Sequence, residues 1–232
     1  MSNPFFRFKQ FTVYHDLCAM KVGVDGVLLG AWADCGNIQF GLDVGTGSGL
    51  IALMLAQRSK AYIHSIDIDE NACKQAEINF HNSPFQERLS VEKVSFQDFS
   101  PPVRYDLIVS NPPYFSNSLK SIDNNRNLAR HNDSLTLDDL FTKATTILNQ
   151  SGKIALILPF EKCETAVKSA SENKLFLCRK TLVSSLQNHP PKRVLLEFTF
   201  VDKETLENSF FIGKEKESYS DEYRSLTDDF YL

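Results

Sequence analysis

The chain has 232 residues, enough for one sizeable core but short for two full domains. Hydrophobic residues make up 42% and charged residues 23%, which excludes a disordered or fibrous chain and is typical of a globular protein. The formal net charge of -4 excludes a strongly basic protein. Any contact with a polyanion must therefore come from local basic patches.

The placement of cysteine, histidine and apolar residues sets further limits. The five cysteines are scattered without a C-x-x-C pair and the five histidines are equally dispersed, so the sequence predicts free thiols and no metal site. The N-terminus lacks an apolar signal core, and no stretch approaches the roughly 18 apolar residues needed to cross a bilayer. These features predict a soluble, cytoplasmic chain.

The hydrophobic pattern predicts short strands, then a helix, and then alternating strands and helices. Aromatic and polar residues alternate within residues 5–22, which favours one or two short strands. Asp25 is predicted to cap a helix that ends near Gly36. Predicted strands follow at 38–44, 62–68, 88–94, 105–110, 153–158, 175–183 and 193–201. Predicted helices lie at 48–58, 70–82, 136–149 and 161–172.

This alternation predicts an α/β fold, with a mostly parallel seven-stranded sheet and helices on both faces. Only the polar, proline-containing stretch 184–192 separates the last two strands, so they are predicted to form an antiparallel edge pair. We expect one domain over the whole chain, with an extension at 1–36 before a core at 37–203. The tail 204–232 has no predicted role, although residues 210–212 could form a further strand.

A glycine-rich loop follows the first predicted core strand and leads directly into an apolar helix. Its alternating glycines, Gly45, Gly47 and Gly49, let the backbone turn sharply and approach a ligand closely. A dinucleotide-binding loop needs a glycine where this chain has Leu50, so a nicotinamide cofactor is disfavoured. Asp43 would repel a phosphate at this position, but its carboxylate suits the cationic amino group of a methionine moiety.

Two further carboxylates follow the next two predicted strands. Asp67 ends the second strand about 20 residues after the glycines, where an acidic side chain accepts hydrogen bonds from both ribose hydroxyls. Asp98 follows the third strand and is placed to accept from an adenine amino group. A glycine-rich turn alone is common, but carboxylates after three successive strands favour a nucleoside cofactor that carries an amino acid.

A second motif follows the fourth predicted strand, where Asn111, Pro112, Pro113 and Tyr114 are consecutive. The prolines fix an extended turn and remove two N–H groups, so the Asn111 side-chain oxygen and the Pro112 carbonyl can accept from one amino group. Tyr114 can stack on the flat group that carries this amine. Paired fixed acceptors draw charge onto a poorly nucleophilic nitrogen while it is methylated. The alternative is an ordinary proline-rich turn.

With both motifs, the sequence resembles class I Rossmann-like amino methyltransferases, and in detail the bacterial tRNA1(Val) adenine-N6 methyltransferase family. The resemblance covers nearly the whole chain. Besides the two motifs, it rests on residues 8–11 and on the run from Met20 to Trp32, which in this family closes over the methionine end of the cofactor. One departure is Val24, where a small hydroxyl residue is more usual in this family.

The resemblance implies that the cofactor is S-adenosylmethionine and that the partner is a tRNA. Residues expected to bind the cofactor are Lys21, Asp43, Gly45, Gly47, Gly49, Asp67, Ile68, Asp98 and Phe99. Asn111, Pro112 and Tyr114 are expected to hold the target amine. No role for a metal or a membrane is expected, and the oligomeric state is not predicted.

The acceptor motif does not by itself distinguish adenine from cytosine or from a protein glutamine. Glutamine methyltransferases usually carry a helical N-terminal domain, and only 40 residues precede the glycine loop here, which disfavours a release-factor substrate. Duplex-DNA enzymes generally need a recognition domain for which this chain has no room. RNA loops present unstacked bases to a small protein. A non-catalytic S-adenosylmethionine-binding RNA factor would have no need of paired acceptors.

Basic residues near these motifs are candidates for RNA contacts. Phe115, Arg126 and Arg130 lie in a polar segment directly after the acceptor motif, and the two arginines are hypothesised to meet phosphates. A solvated loop with incidental charge is an equally good interpretation of that segment. Two further basic pairs, Arg7 with Lys9 and Lys192 with Arg193, occur at the N-terminus and at the start of a late strand.

Overall fold

The computed structural model describes residues 3–112, 135–215 and 218–232. Its strands are β1 Phe5–Arg7, β2 Thr12–Tyr14, β3 Phe40–Val44, β4 Tyr62–Asp67, β5 Leu89–Lys93, β6 Tyr105–Ser110, β7 Leu148–Pro159, β8 Phe176–Leu186, β9 Pro191–Thr199, β10 Leu206–Glu215 and β11 Ser218–Tyr219. Its helices are α1 Val24–Trp32, α2 Leu50–Arg58, α3 Glu70–His81, α4 Leu137–Ile147, α5 Cys163–Glu172 and α6 Asp221–Thr227. Two short 3-10 turns lie at Gln86–Arg88 and Phe160–Lys162.

Within the described residues, nine strands form one sheet in the order β11-β10-β8-β9-β7-β6-β3-β4-β5. Strands β3 to β7 run parallel to one another, which brings their carboxyl ends to one edge of the sheet. β9 is antiparallel to both β7 and β8. We call the edge at which β3, β4 and β6 end the carboxyl edge and the opposite edge the amino edge.

The α/β class and the mostly parallel sheet are confirmed, but the expected seven strands and the antiparallel pair at the edge are corrected. β10 pairs in parallel with β8, with Phe210 opposite Val183, so the predicted further strand exists and the sheet continues beyond the antiparallel pair. β11 then closes the sheet against β10. The tail therefore satisfies the outer hydrogen-bonding groups of β8, which would otherwise form an open edge.

Apolar side chains alternate between two cores, one on each face of the sheet. On β6, Leu107 and Val109 face a core shared with α1 and α2, whereas Ile108 faces a second core shared with α4 and α5. All three side chains are fully buried. This alternation is the two-residue period of a strand that is covered on both faces.

Two glycines allow α1 to pack closely on α2, the helix that follows the glycine loop. A Cβ atom on Gly26 would lie 3.0 Å from the Leu50 side chain, and one on Gly30 would lie 2.7 Å from the Met54 sulfur. The predicted cap of α1 is corrected. The helix begins after Gly23 without a side-chain cap, and Asp25 lies inside the first turn, where its carboxylate accepts from Arg193 Nε at 2.8 Å.

The N-terminal hairpin β1–β2 is held from the far end of the chain. The Lys9 backbone N–H donates to the Phe230 carbonyl at 2.8 Å, and the ring of Phe8 stacks on Tyr231 with centroids 6.0 Å apart. Gln57 on α2 donates to the Asp229 carbonyl at 2.8 Å. The tail after Asp202 is thus part of the packed core around the hairpin and α2.

Candidate cofactor and acceptor site

The two sequence motifs meet at the carboxyl edge because β3 and β6 are paired neighbours in the sheet. Val44 at the end of β3 lies opposite Ser110 at the end of β6. The buried Ser110 hydroxyl donates to the Val44 carbonyl at 2.8 Å, which fastens the two strand ends together. The glycine loop and Asn111 therefore both begin one residue beyond the same cross-strand pair.

The three glycines of the loop all adopt left-handed conformations but have different surroundings. Gly45 and Gly47 have φ values of 74° and 55°, and an added Cβ would meet no atom of the described residues within 4 Å at either position. At Gly49, with φ 80°, a Cβ would lie 2.5 Å from the Phe80 ring. The first two glycines border open space, whereas Gly49 permits the packing of α2 against α3.

Asp43 is fully buried beneath this loop and is only partly satisfied. Its Oδ2 accepts from the Thr46 hydroxyl at 2.7 Å. Its Oδ1 is buried and has no hydrogen-bond partner among the described residues. Burial raises the pKa of Asp43 from 3.8 to about 7, although the Thr46 hydroxyl and the nearby Ala52 backbone N–H oppose this increase. A buried carboxylate oxygen without a partner is costly, and a cationic ligand group would relieve that cost.

Asp67 joins the end of β4 to the glycine loop. Its Oδ2 accepts from the Gly47 backbone N–H at 2.9 Å, and its Oδ1 accepts from the Asp69 N–H at 2.9 Å. Because the side chain is only half-buried, each oxygen can still accept from a hydroxyl on the solvent side. Asp69 also caps α3, accepting from the Asn71 N–H.

The remaining predicted cofactor residues differ in accessibility. Ile68 is 58% exposed directly after Asp67, so it presents a free apolar surface at the carboxyl edge. Asp98 is exposed and accepts from the Ser95 hydroxyl at 2.6 Å. Lys21 is also exposed. The ring of Phe99, in contrast, is buried in the core 6.4 Å from that of Tyr105, so it does not offer an open face to a ligand.

Two buried amides on α3 were not identified as candidate site residues from the sequence. Asn79 donates to the carbonyls of Tyr14 and Ser48, both at 2.8 Å, and accepts from the Tyr14 N–H at 2.9 Å. Gln75 accepts from the Leu17 N–H at 3.0 Å. Both amides lie in the buried stripe of α3, and polar residues in such a stripe are the signal that could have revealed them.

The described part of the acceptor motif continues directly from β6. Asn111 is half-buried and Pro112 is buried. Tyr114, Phe115, Arg126 and Arg130 lie outside the described residues, so their predicted roles remain predictions.

Strand order and the two motifs together define a class I methyltransferase. A family model described as the methyltransferase small domain matches residues 34–180. A predicted O-methyltransferase from Agrobacterium tumefaciens has the same fold, with a TM-score of 0.65 at 16% identity, covering 89% of this chain and 96% of that one.

Relatives similar over the full length define the family more narrowly. The tRNA1(Val) (adenine(37)-N6)-methyltransferase of Parabacteroides distasonis is 50% identical over 100% of this chain and 99% of its own length. The enzyme of that name from Bacteroides thetaiotaomicron is 45% identical with the same coverage. The chain belongs to the methyltransferase small domain family and, within it, to the family of these tRNA1(Val) (adenine(37)-N6)-methyltransferases. This confirms the resemblance inferred from the sequence.

The predicted cofactor, S-adenosylmethionine, is that of this class of enzyme, and the residues at the carboxyl edge fit it. The unpartnered Oδ1 of Asp43 suits a cationic amino group, and the open space at Gly45 and Gly47 leaves room for a ligand. Within residues 3–112, 135–215 and 218–232, no group of three or more His, Cys, Asp or Glu could hold a metal. No helix in the same ranges has the length and apolar character that a membrane crossing requires.

Proposed function

We propose that this protein methylates N6 of an adenine in tRNA, namely adenosine 37 of tRNA1(Val), with S-adenosylmethionine as donor. The relatives that match over the full length carry this activity in their names. The observation that supports the proposal best is the Val44–Ser110 pair, because it sets the glycine loop and Asn111 at adjoining strand ends. A tRNA substrate also places the reaction in the cytoplasm.

The cofactor would be held by residues that lead out of β3, β4 and β5. Asp43 would receive the amino group of the methionine moiety, with Gly45, Gly47 and Gly49 shaping the loop beside it. Asp67 would accept from the ribose hydroxyls, and Ile68 would cover one side of the adenine. Asp98 would contribute at the adenine end, with the ring of Phe99 packed in the core beside it, and Lys21 would contribute at the opening formed by the N-terminal segment.

When bound, S-adenosylmethionine supplies an activated methyl group on a sulfonium sulfur. Asn111 Oδ1 and the Pro112 carbonyl would accept the two hydrogens of the target amine, which holds its nitrogen in line with that methyl. As positive charge develops on the nitrogen, these fixed acceptors stabilise it. The proton then leaves to water, so no strong base is needed. Tyr114 would stack on the base, and Phe115, Arg126 and Arg130 would contact the RNA.

Quantification of methylated nucleosides tests this proposal. The purified protein is incubated with S-adenosylmethionine and total tRNA from a strain that lacks the native activity, and nucleosides are measured by mass spectrometry. We expect N6-methyladenosine from the wild-type protein. Asn111→Ala should lower the rate by about 100-fold or more, because an acceptor aimed at the developing charge is lost. Its dissociation constant for S-adenosylmethionine should remain unchanged.

The controls separate this function from its alternatives. Loss of cofactor binding in Asn111→Ala would contradict the acceptor role of this residue. If the wild-type protein binds the cofactor but modifies no tRNA, the proposal is wrong. A release-factor glutamine would then be the next acceptor to assay, and a non-catalytic RNA factor would remain if that assay were negative.

A further inference from the structure

The hairpin between β8 and β9 extends beyond the sheet next to the acceptor motif. Ser110, the last residue of β6, pairs with Leu156 on β7, but β7 continues to Pro159. Three further residues of extended chain add about 10 Å. Arg193 near the start of β9 lies opposite Pro159. The turn before β9 therefore lies at the carboxyl edge, about 10 Å beyond the level at which β6 ends.

This raised part of the carboxyl edge is held firmly. Arg193 Nε donates to the Asp25 carboxylate at 2.8 Å, which connects β9 to the first turn of α1. The turn from Leu186 is closed by a hydrogen bond from the His189 N–H to the Leu186 carbonyl, and Asn188 adopts the left-handed conformation at φ 61°. Asparagine tolerates this conformation better than most residues. The hairpin is therefore anchored to α1 at the start of β9 and closed by a backbone hydrogen bond at its turn.

Exposed side chains at the end of β7 and at the facing start of β9 combine an aromatic ring with a cationic group. Phe160, directly after β7, is 41% exposed and makes no ring contact with another described residue. Lys192 at the start of β9 is exposed; its backbone carbonyl accepts from Arg193 Nη1 at 3.1 Å, but its ammonium group has no hydrogen bond or ion pair with a described residue. Arg193 is already neutralised by Asp25, so Lys192 is the available charge. Glu161 beside Phe160 offsets Lys162 on the same turn.

We propose that Phe160 and Lys192 form an RNA contact surface, on which a base next to the target adenosine stacks on Phe160 and a phosphate meets Lys192. This inference rests on the proposed function. Proteins that bind single-stranded RNA use exposed aromatic rings and a few cations in this way. The surface lies on the same edge as Asn111, so one RNA loop could reach both. The acidic chain as a whole offers no general attraction to RNA, which makes such local contacts necessary.

The test compares two substitutions on this surface with two at the amino edge. Phe160→Ala and Lys192→Ala change the surface, whereas Tyr62→Ala and Lys60→Ala remove an exposed aromatic and an exposed lysine at the start of β4. The dissociation constant of an unmodified tRNA1(Val) transcript is measured at several salt concentrations. The affinity for S-adenosylmethionine and the rate at saturating tRNA are measured in parallel.

We expect Phe160→Ala to weaken tRNA binding by about tenfold. Lys192→Ala should weaken it less and reduce the slope of log affinity against log salt by roughly 0.7 to 0.9. Both should keep the wild-type affinity for S-adenosylmethionine and the wild-type rate at saturating tRNA, which a misfolded variant would not. Both amino-edge variants should bind tRNA like the wild type.

Equal tRNA affinity in all four variants would overturn the contact surface while leaving the proposed function intact, provided the wild-type protein still forms N6-methyladenosine. A weakening by the amino-edge substitutions as large as that by the surface substitutions would overturn it as well. Absence of N6-methyladenosine with the wild-type protein would instead overturn the proposed function. Because binding is measured without turnover, the two failures are distinguishable.

Discussion

Asp43 and Asp106 lie on neighbouring strands but at opposite edges of the sheet. At the amino edge, Asp106 accepts from the backbone N–H groups of Gln39 and Phe40 at 2.8 and 3.0 Å and from Asn149 Nδ2 at 2.6 Å. At the carboxyl edge, Asp43 has the Thr46 hydroxyl for one oxygen and no described partner for the other. The carboxylate of Asp106 is thus hydrogen-bonded within the fold, whereas one oxygen of Asp43 is left available for a ligand.

Other groups show the same contrast between a paired and an open environment. On β9, three strands away from β3, buried Glu197 is paired with Arg179 at 3.1 Å, and the Arg179 guanidinium lies 3.6 Å from the centroid of the Trp32 ring. At the carboxyl edge, Gly45 and Gly47 border open space. At Asp43, an unpartnered buried oxygen therefore coincides with open space at the edge that carries the acceptor motif. This coincidence, rather than the missing partner alone, favours a ligand site, because buried atoms without a partner occur elsewhere too, on Gln57, Ser65, Ser169 and Arg179.

The largest expected effect is a loss of stability that differs between two glycines of the same loop. Gly49→Ala should lower the free energy of unfolding by about 2–4 kcal/mol, because it adds a clash with Phe80 to the cost of a left-handed alanine. Gly45→Ala should cost only about 1–2 kcal/mol of stability, since its Cβ enters open space. It should instead weaken S-adenosylmethionine binding. Urea unfolding and calorimetric titration measure the two quantities.

Equal destabilisation by the two glycine substitutions would show that Gly45 is packed as tightly as Gly49. A cofactor affinity that Gly45→Ala leaves unchanged would show that the space beside Gly45 is not used by the cofactor.

The next prediction compares the two aspartates, each replaced by the isosteric residue asparagine. Asp43→Asn should weaken S-adenosylmethionine binding by roughly 10- to 100-fold, the range for losing a hydrogen bond to a charged group. Near pH 4, where the Asp43 carboxyl is protonated in the folded protein, the free energy of unfolding should change little, because no described residue loses a good contact at Oδ1. Asp106→Asn should lower stability by about 1–3 kcal/mol through its amide and Asn149 contacts, with unchanged cofactor affinity. If both variants lose the same cofactor affinity and the same stability, the assignment of Asp43 to ligand binding and of Asp106 to the fold is wrong.

Local sequence patterns predicted the central elements well. The predicted strand 105–110 matches β6, and the predicted helix 70–82 differs from Glu70–His81 by one residue. These elements were predictable because periodicity, caps and turns are encoded within each segment. The motifs at the carboxyl edge were also visible, since each depends on consecutive residues.

Features that depend on distant partners were not predictable. The role of Asn79 requires Tyr14 and Ser48 to arrive beside α3, and no local pattern encodes that meeting. The position of β10 next to β8 likewise depends on a pairing across the chain. Asp25 looked like a cap because its residue type suits one, but its partner Arg193 is 168 positions away. For the same reason, the sequence indicated a carboxylate at Asp43 but not that one of its oxygens would be unpartnered.

The last expected effect is a pH dependence of the stability, which should differ in sign between the two aspartates. Burial raises the pKa of Asp43 from 3.8 to about 7. Its stabilising contribution is therefore complete below about pH 4 and is lost as the pH rises through about 7. Burial alone would raise the pKa of Asp106 too, but hydrogen bonds from Phe40, Gln39 and Asn149 lower it overall. Its contribution is present above the ordinary pKa of 3.8 and is lost as the pH falls through the lowered value.

Chemical unfolding is measured from pH 3 to pH 8. At each pH, the free energy of unfolding of each asparagine variant is subtracted from that of the wild type, and the difference gives the contribution of the aspartate. Because only the ionised form of Asp43 attracts a cationic amino group strongly, S-adenosylmethionine affinity should rise with pH through about 7 in the wild type and in Asp106→Asn. In Asp43→Asn this rise should be absent. A rise that persists in Asp43→Asn would assign the titration to another group and would leave Asp43 without the role that its unpartnered oxygen implies.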